Sequence, residues 1–404
     1  MTPGIDTPPL QTPAPRAMCT DCGLSRTALA RSCGQSCQFI KPRYPELEAT
    51  VHGRTRDPQR DDERFFGVYR RMLRGSLLPA LAGAQWSGIT SRIGARLLES
   101  GAVDAVLTVV PDPNDRWRPV PALVTDASAM VFARGMRMGY APLLALLEPA
   151  RARGYRRLAV IGIPCQVYAL REIEAKLGLD RLYVIGTPCS DNTSTENFHR
   201  FLALLAAEPD TVTYLEFCPD YHVEMRFADG RVRRVPFLML PLSQLPADFF
   251  PLTCKTCVDY TNTLADLTVG YMGGDGEQWL LARNARGEEL LDLLGGELVT
   301  SPLTSRGRRG AHVSGFLKNV ALAAGGLPLR RIPAWVRPLV AWLMPRIGPR
   351  GLEFARARVE MKAVETVLHL RHAAPRRLKS MVPKHVWALV GAYGLVPEDD
   401  ETAP

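Results

Sequence analysis

The sequence lacks the short motifs of several common enzyme classes. It has no Walker A sequence, no H-E-x-x-H, no G-x-S-x-G and no G-x-G-x-x-G after a predicted strand. These absences exclude the standard phosphate-binding loop, metallopeptidase, serine hydrolase and dinucleotide-binding fingerprints. No run of 18 uncharged apolar residues occurs either, so no membrane-spanning helix is predicted. The mean hydropathy of −0.05 also argues against a polytopic membrane protein.

What the chain does contain fits a globular protein of two or three subdomains. It has 404 residues, of which 46% are hydrophobic and 23% charged. The charge is uneven: residues 301–390 carry 17 Lys and Arg against three acids, whereas the whole chain is +9. Such a segment attracts an acidic protein, an anionic membrane surface or nucleic acid. Nucleic acid is disfavoured, because no binding motif and no alternation of aromatic with basic residues is present.

The composition along the chain predicts four regions. Residues 1–17 are rich in proline, carry no secretion signal and predict a disordered tail, which favours a cytoplasmic protein with reduced thiols. Residues 18–64 form a Cys-rich module with a polar connector, 65–300 an α/β core, and 301–404 a basic, mainly helical region. Within the last region, 332–347 is apolar but broken by proline and arginine. It predicts either a buried or surface helix pair or an amphipathic element on a membrane surface.

Two near-repeats predict a parallel sheet. RLAVIGIPC (Arg157–Cys165) and RLYVIGTPC (Arg181–Cys189) flank a helical segment, Val167–Leu177. Strand, helix and strand at this spacing are typical of a βαβ unit. A further helix (Glu196–Ala207) and strand (Thr211–Phe217) are expected to extend the same scheme. The predicted fold class is therefore mixed α/β, with a parallel-containing sheet core, an N-terminal Cys-rich module and a helical C-terminal region.

The first set of cysteines has the spacing C-x2-C-x10-C-x3-C. It comprises Cys19, Cys22, Cys33 and Cys37, on a segment that also contains glycines. Four thiolates without a nearby histidine are typical of a structural zinc site or of a [4Fe-4S] cluster. The spacing alone leaves both open.

The second set joins a tight pair, Cys254-x2-Cys257, to Cys165 and Cys189. The latter two each end a G-x-P-C motif after a predicted strand. Neighbouring parallel strands lie about 4.8 Å apart, so both thiols are expected in the crevice at the carboxyl ends of the strands. Together the four residues have the number of ligands for a second cluster; the alternative is that each cysteine is a small buried hydrophobe. Cys218, the ninth, is assigned to packing.

Two loops are candidates for holding a ligand. Gln85–Thr90 is a turn of small residues that opens a helix, where backbone N–H groups can hold a phosphate. An ordinary helix cap by Ser87 is the alternative. The second loop, Gly270–Gly276, contains glycines that permit close approach to a flat ring, on which Tyr271 and Trp279 can stack.

Seven segments together resemble one known family, that of the coenzyme F420 hydrogenase/dehydrogenase beta subunits. The resemblance covers nearly the whole chain from Cys19 onward. Within the family, the chain looks most like the ferredoxin-dependent divinyl chlorophyllide 8-vinyl reductases and the related 7-hydroxymethyl chlorophyll a reductases. The segments are CTDCGL, FFGVYRRML, AQWSGITS, GIPCQVYALRE, GTPCSDN, CKTCVDYTNTLADLTVGYMG and IGPRGLEFAR.

The resemblance implies an iron–sulfur flavoprotein with FAD and two [4Fe-4S] clusters, fed by reduced ferredoxin. The eight cysteines of the two sets would be the cluster ligands. The residues expected to bind FAD are Trp86, Ser87, Gly88, Thr90, Asn192, Tyr271, Met272, Gly273, Gln278 and Trp279.

The implied reaction is reduction of the C8-vinyl group of a divinyl chlorophyllide or protochlorophyllide to ethyl, in chlorophyll or bacteriochlorophyll biosynthesis. Ferredoxin supplies single electrons, and a flavin can collect two and deliver a hydride. The acids in or beside the matched segments that could donate the proton are Asp191, Asp259 and Asp275. A chlorophyllide-type tetrapyrrole is then the substrate, and a position at the surface of the photosynthetic membrane is an alternative to a purely cytoplasmic one.

One departure from the family pattern concerns the first cysteine set. The relatives carry C-x2-C-x2-C, whereas Ser25 stands at the third position here. Cys33 is the candidate replacement ligand. Three other functions remain open: a pigment reductase of the 7-hydroxymethyl type, a non-pigment electron-transfer subunit of a hydrogenase or dehydrogenase, and a zinc-stapled binding protein.

Overall fold

The structure is a computed structural model that describes residues 3–10, 19–60, 62–218, 220–271, 277–323, 333–399 and 401. Contacts between residues divide the chain into two compact units, each assembled from separate segments. Unit 1 comprises Met1–Cys189, Asp259–Gly270 and Gly276–Pro302. Unit 2 comprises Ser190–Val258, Tyr271–Asp275 and Leu303–Pro404.

Helices and strands alternate through the first two thirds of the chain, and helices dominate the rest. The helices are α1 (Tyr44–His52), α2 (Glu63–Phe66), α3 (Ile89–Glu99), α4 (Leu147–Ala152), α5 (Pro164–Ile173), α6 (Thr195–Leu205), α7 (Leu252–Lys255), α8 (Ala285–Asp292), α9 (Arg309–Ala323), α10 (Arg337–Ile347), α11 (Leu352–Ala373), α12 (Leu378–Met381) and α13 (Lys384–Val390). The strands are β1 (Ile5–Asp6), β2 (Arg71–Leu77), β3 (Ala105–Asp112), β4 (Asp115–Val124), β5 (Arg157–Gly162), β6 (Arg181–Gly186), β7 (Val212–Phe217), β8 (His222–Phe227), β9 (Val232–Pro236), β10 (Leu267–Gly270), β11 (Gln278–Ala282), β12 (Leu298–Ser301), β13 (Ser305–Arg306) and β14 (Arg350–Gly351).

Unit 1 is built on a nine-stranded mixed sheet with the order β1-β4-β3-β5-β6-β10-β11-β2-β12. The central strands β3, β5, β6 and β10 run parallel, and the strands on either side of them pair antiparallel. α5 connects β5 to β6, so the predicted βαβ unit is confirmed. The mixed α/β class with a parallel portion is confirmed with it.

The sheet forms because its central strands are mostly apolar and buried along most of their length. In β5 and β6, residues such as Val160 and Val184 have no exposed surface. α3 packs its apolar side against the sheet, and its inward residues Ile89, Ile93 and Leu97 recur every four positions and are fully buried. Each such side chain contributes about 1.5–3 kcal/mol through its removal from water.

Unit 2 contains a separate three-stranded antiparallel sheet, β7-β8-β9, and the helices α6, α7 and α9 to α13. The prediction that Thr211–Phe217 extends the parallel scheme is wrong, because β7 pairs antiparallel with β8. The physical reason is connection length. A short link from β7 to β8 allows an antiparallel pair, whereas a parallel neighbour needs a crossover of a dozen or more residues. The place beside β6 in the large sheet is taken by β10.

The basic C-terminal region is mainly helical where the structure describes it, with one short strand pair, β13 and β14. α11 is its longest helix, and residues such as Val364 and Val367 in its centre have no exposed surface. Among the described helices, none combines the length and the apolar character needed to cross a membrane.

Candidate functional site

The two strand-end cysteines of unit 1 occupy equivalent positions on neighbouring strands. β5 and β6 are in parallel register, with Gly162 opposite Gly186. Cys165 and Cys189 each follow three residues after that glycine pair. The backbone N–H of Cys189 donates to the carbonyl of Tyr260 at 3.0 Å, which ties its loop to the segment that precedes β10.

Asn262 links the backbones that lead into the two cysteines. Its side-chain Nδ2 donates to the carbonyl of Gly162 at 2.8 Å and to the carbonyl of Thr187 at 3.3 Å. The residue is fully buried, and its φ of 58° lies in the left-handed region that asparagine tolerates better than most residues. Gly186 makes room for it, since a Cβ there would lie 2.6 Å from the Asn262 Cγ.

Buried polar groups hold the rest of the Asp259–Gly270 segment in place. The Asp259 carboxylate accepts the backbone N–H and the hydroxyl of Thr263. Asp266 pairs with Arg171 at 2.8 Å, and neither side chain has exposed surface. Arg283 donates to the carbonyl of Thr261 at 2.9 Å. The segment is therefore a rigid support for the Cys189 loop and for Asn262.

The N-terminal cysteines of unit 1 lie close to one another. The pKa of Cys22 is raised to about 12, chiefly by burial and in addition by the nearby thiols of Cys33, Cys37 and Cys19, while a backbone hydrogen bond involving Leu24 opposes the shift. Gly23 allows the tight approach of this loop to the rest of unit 1, because its φ is 99° and a Cβ would lie 2.5 Å from the Pro142 carbonyl. Mutual repulsion of this kind is relieved when a metal centre binds the thiolates.

The N-terminal module also reaches a cysteine of the second set. The hydroxyl of Thr20 lies 3.5 Å from the Cys165 sulfur, to which it donates. Among the residues that the structure describes, however, no group of three or more His, Cys, Asp or Glu side chains has the arrangement of a metal site. The four N-terminal thiols are the kind and number of donor groups that a four-thiolate metal centre requires. Cys33 is among the thiols that interact with Cys22. A residue that replaces the ligand missing at Ser25 has to lie near the other cysteines of the set, and Cys33 meets this requirement.

Two of the segments expected to bind FAD meet in unit 1. The Gln278 Oε1 accepts the backbone N–H of Ile89 at 3.0 Å and the Ser87 hydroxyl at 3.4 Å. Gln278 therefore accepts the hydrogen bond from the first N–H of α3. A cap by Ser87 is one interpretation of the sequence of this turn, and Gln278 takes that role instead. Trp86 and Gly88 have φ values of 50° and 87°, which shape the turn ahead of Thr90 in α3.

Trp279 lies in the protein core and not on a surface where a flat ring could stack on it. It is fully buried in β11 and makes an edge-to-face contact with Phe66, with ring centroids 4.9 Å apart. Its indole N–H has no hydrogen-bond acceptor among the described residues. Tyr271, in unit 2, has its ring 5.0 Å from that of Phe354. Three of the predicted residues, Met272, Gly273 and Asp275, lie outside the described residues.

In unit 2, a buried charged cluster surrounds the backbone of the Cys254–Cys257 pair. The Lys362 ammonium on α11 donates to Asp191 at 2.9 Å, to Glu365 at 2.7 Å and to the carbonyl of Cys254 at 2.7 Å. One turn further along α11, the hydroxyl of Thr366 lies 3.4 Å from the carbonyl of Cys257. α11 therefore holds both ends of the cysteine pair.

Burial raises the pKa values of three candidate site residues. Burial raises the pKa of Asp191 to about 6, although the Lys362 ammonium opposes the shift. Burial likewise raises the pKa of the Cys254 thiol to about 12, and the backbone N–H of Asn192 opposes that shift by a hydrogen bond. Burial also raises the pKa of Asp259 in unit 1, but its oxygens are engaged by Thr263. Of the described candidate acids, Asp191 is therefore the better suited to release a proton near neutral pH.

Sequence reasoning did not single out Asn262 or Lys362. Asn262 lies inside the quoted segment CKTCVDYTNTLADLTVGYMG, but its partners are more than 70 residues away in sequence. In the sequence, Lys362 is only one of the charges of the basic region. Nothing in the neighbouring sequence indicates that a lysine is buried. Cys218, assigned to packing, lies in the link between β7 and β8, where its N–H donates to the carbonyl of His222 at 2.7 Å.

Comparisons with known proteins give matches over most of the chain. Residues 72–148 match the N-terminal part, and residues 155–305 the C-terminal part, of the family described as coenzyme F420 hydrogenase/dehydrogenase, beta subunit. The chain is 37% identical to 7-hydroxymethyl chlorophyll a reductase, chloroplastic, from Oryza sativa subsp. japonica, over 93% of this chain and 82% of that protein. It is 30% identical to a subunit of the F(420)H(2) dehydrogenase from Methanosarcina mazei, over 54% of this chain and 61% of that protein.

A solved structure shares the fold. A chain of the F420-reducing [NiFe] hydrogenase complex from Methanosarcina barkeri superposes with a TM-score of 0.58, over 80% of this chain and 95% of that chain. The sequence identity between the two is 19%, so the likeness concerns the fold alone. By their names, the relatives are oxidoreductases or parts of them.

Proposed function

The chain belongs to the family of coenzyme F420 hydrogenase/dehydrogenase beta subunits, a family of oxidoreductases, and from this premise we propose that it reduces a chlorophyll-type tetrapyrrole. The observation that carries the proposal is the extent of the similarity. The chlorophyll reductase from rice matches 93% of this chain, whereas the methanogen dehydrogenase protein matches 54%. A relative that matches the chain nearly from end to end is the better guide to its substrate.

The reaction proposed first is reduction of the C8-vinyl group of a divinyl chlorophyllide or protochlorophyllide to ethyl. It consumes two electrons and two protons, and reduced ferredoxin is the proposed electron donor. The second candidate, favoured by the name of the rice relative, is reduction of a 7-hydroxymethyl group to methyl. That reaction also takes two electrons and two protons, and it releases water.

The cysteine sets are the proposed holders of the iron. Cys19, Cys22, Cys33 and Cys37 would bind one [4Fe-4S] cluster, and Cys165, Cys189, Cys254 and Cys257 the other. Bound clusters and FAD would convert single electrons into a two-electron reduction. The turn that contains Ser87 and Gly88, joined to Gln278, is the part of the proposed FAD site that contacts within unit 1 support.

Asp191 is the proposed proton donor. It lies in a buried cluster with Lys362, whose ammonium is 2.9 Å away, and its pKa of about 6 lies near the operating pH of a general acid. Lys362 also touches the carbonyl of Cys254 at 2.7 Å. The same lysine therefore holds the acid and one end of the cysteine pair, and it keeps both in a fixed arrangement.

The substrate is tested by anaerobic turnover with reduced ferredoxin. Purified protein is incubated separately with divinyl chlorophyllide, divinyl protochlorophyllide and 7-hydroxymethyl chlorophyll a, and the pigments are separated and weighed by mass spectrometry. Gain of two hydrogens by a divinyl pigment supports the first reaction, and loss of one oxygen by the third pigment supports the second. If no pigment changes while the same preparation reduces or oxidises coenzyme F420, the electron-transfer interpretation replaces both.

The cofactors are tested by metal and flavin analysis of anaerobically prepared protein. We expect about eight iron atoms, eight acid-labile sulfides and one FAD per chain. Cys257→Ser should remove about half of the iron, since each cluster holds four irons. Cys218→Ser is the matched control and should leave the iron content unchanged. Stoichiometric zinc in place of iron would contradict the proposal and favour the zinc-stapled binding protein.

Ferredoxin docking is proposed at the exposed arginines near the start of the basic region. Arg306 and Arg308 are exposed, and acidic ferredoxins would be steered towards them. Arg309 is excluded from this role, because it pairs with Glu353 at 2.9 Å and with Glu360 at 3.2 Å. A double change of Arg306 and Arg308 to glutamate should slow turnover with ferredoxin and flatten its salt dependence.

Two controls define the outcome of this experiment. A small neutral reductant should drive the doubly changed protein at the wild-type rate, because steering acts only on a charged partner. Arg309→Glu should instead lower stability, since it places a third carboxylate beside two others. If the double variant keeps the wild-type rate and salt dependence with ferredoxin, docking occurs elsewhere.

A further inference from the structure

An exposed apolar face lies on α10 and on the turn before it. Four large apolar side chains are mostly in solvent: Trp335 is 81% exposed, Leu339 58%, Trp342 56% and Ile347 62%. Leu339 and Trp342 are three residues apart on α10 and therefore lie on one side of the helix, whereas Trp335 lies in the turn before it and Ile347 is its last residue. On the other side Ala341 is buried. The helix is thus apolar on both its inner and its outer side.

Such a face is unusual on a protein surface. Single exposed hydrophobic residues are common, but a contiguous group of large ones marks an interaction site. Two of the six tryptophans of the chain contribute to this one. The inner side already has its partner within unit 2, at the turn Phe237–Met239. The outer side therefore needs an occupant that supplies apolar surface.

The charge around α10 selects the kind of occupant. Between Glu297 and Glu353 the sequence has nine lysines and arginines and no acid. The Arg346 guanidinium lies over the Trp342 ring, 4.1 Å from its centroid. Tryptophan with an adjacent arginine is the combination that sits at the boundary between lipid headgroups and acyl chains, with the ring in the apolar layer and the cation at the phosphates.

We propose that this α10 face, formed by Trp335, Leu339, Trp342 and Ile347, docks the protein on an anionic lipid surface. α10 has 11 residues and contains Pro345, so it is far too short to span the roughly 30 Å of a bilayer core and would lie along the surface. The proposal concerns the location of the protein and does not depend on the substrate or the cofactors.

Two other occupants fit the observations less well. An acidic soluble protein matches the charge, but it offers no reason for two exposed tryptophans and a leucine. A second copy of the chain supplies an apolar face, but a twofold contact would set one acid-free basic segment against the same segment of its partner. An anionic lipid surface supplies the apolar layer and the negative charge together.

The test is sedimentation of the full chain with lipid vesicles. Wild-type protein is mixed with vesicles of phosphatidylglycerol and phosphatidylcholine and, in parallel, with vesicles of phosphatidylcholine alone. We expect binding to the anionic vesicles, weaker binding as salt rises, and little binding to the neutral ones. In anionic vesicles whose acyl chains carry bromine, quenching of tryptophan fluorescence reports insertion of the rings.

The decisive variant is the double change Trp335→Ser and Trp342→Ser. It should weaken binding to the anionic vesicles by about tenfold or more and remove the quenching, because apolar area and binding strength rise together. The matched control is Val232→Ser with Val299→Ser, which removes two apolar side chains that are 57% and 47% exposed outside α10. This control should bind as the wild type does.

Three outcomes would overturn the proposal. In the first, the wild-type protein stays in the supernatant with every kind of vesicle. In the second, the double variant binds the vesicles as tightly as the wild type. In the third, the wild type binds no vesicle but forms a dimer, and the double variant is a monomer. The last outcome would assign the face to a second copy of the chain. Trp335→Ser alone, at the most exposed of the four positions, keeps the test valid if the double variant does not fold.

Discussion

Asn262→Ala offers the sharpest test of how the two strand-end cysteines are positioned. The change removes the Nδ2 donor that bridges the carbonyls of Gly162, at 2.8 Å, and Thr187, at 3.3 Å. Gly162 keeps the N–H of Thr187 as a donor at 3.0 Å, so the larger penalty falls on the carbonyl of Thr187. Leaving a buried acceptor unsatisfied costs about 1–3 kcal/mol.

The backbone adds a second contribution. Asn262 has a φ of 58°, and alanine in the left-handed region costs roughly 1–2 kcal/mol more than a residue that tolerates it. We therefore expect Asn262→Ala to lower the free energy of unfolding by about 2–5 kcal/mol. Asn262→Gly loses the same hydrogen bonds without the backbone strain, so it should be milder by about 1 kcal/mol.

The assay is unfolding in urea, followed by circular dichroism on anaerobically prepared protein. Asn319→Ala is the matched control, because it removes one amide-to-carbonyl bond, to Gly315 at 2.9 Å, in an exposed part of α9. It should have little effect. A loss below about 1 kcal/mol for Asn262→Ala would refute the hydrogen-bond argument. Equal losses for the alanine and glycine variants would refute the backbone argument.

Three further predictions use matched pairs or a separate readout. Asp266→Asn removes the buried partner of a fully buried arginine and should lower the free energy of unfolding by about 3–5 kcal/mol, whereas Asp180→Asn breaks an exposed ion pair and should leave it unchanged in the same denaturation assay. Gly186→Ala would place a Cβ 2.6 Å from two buried atoms and should lower the melting temperature, while Gly296→Ala, with open space around it, should not; equal melting temperatures would contradict the packing argument. Asp191→Asn should slow pigment reduction by about a hundredfold without changing the iron content; loss of iron instead would indicate a structural role.

The central part of the fold could be predicted from the sequence because its signals are local. The strands around Val160 and Val184 are apolar runs of the right length, and the intervening helix has the right spacing to join them in parallel. The error came one element later. The strand ending at Phe217 looks like another member of the series, and only its pairing with the next strand shows that it belongs to a separate sheet.

The candidate site could be predicted only in part, for a similar reason. Spacing in the sequence identified the cysteines, since tight pairs and repeated motifs are short-range patterns. The contacts of Asn262 and Lys362 are formed by segments far apart in the chain, and no periodicity indicates them. The same holds for Arg309, one of the charges of the basic region, because its partners Glu353 and Glu360 lie 44 and 51 residues further along the chain.

The interleaving of the two units has a consequence for synthesis on the ribosome. β6 is complete at Gly186, but its parallel neighbour β10 begins only at Leu267, after the chain has supplied a long segment of unit 2. At a synthesis rate of about 5–20 residues per second, the edge of β6 stays unpaired for roughly 4–16 s until the ribosome reaches β10. β2 waits longer, since both of its neighbours, β11 and β12, follow later still. A nascent chain with two unpaired apolar strand edges is a target for chaperones and for aggregation, so slower growth or added chaperone should favour recovery of the intact protein.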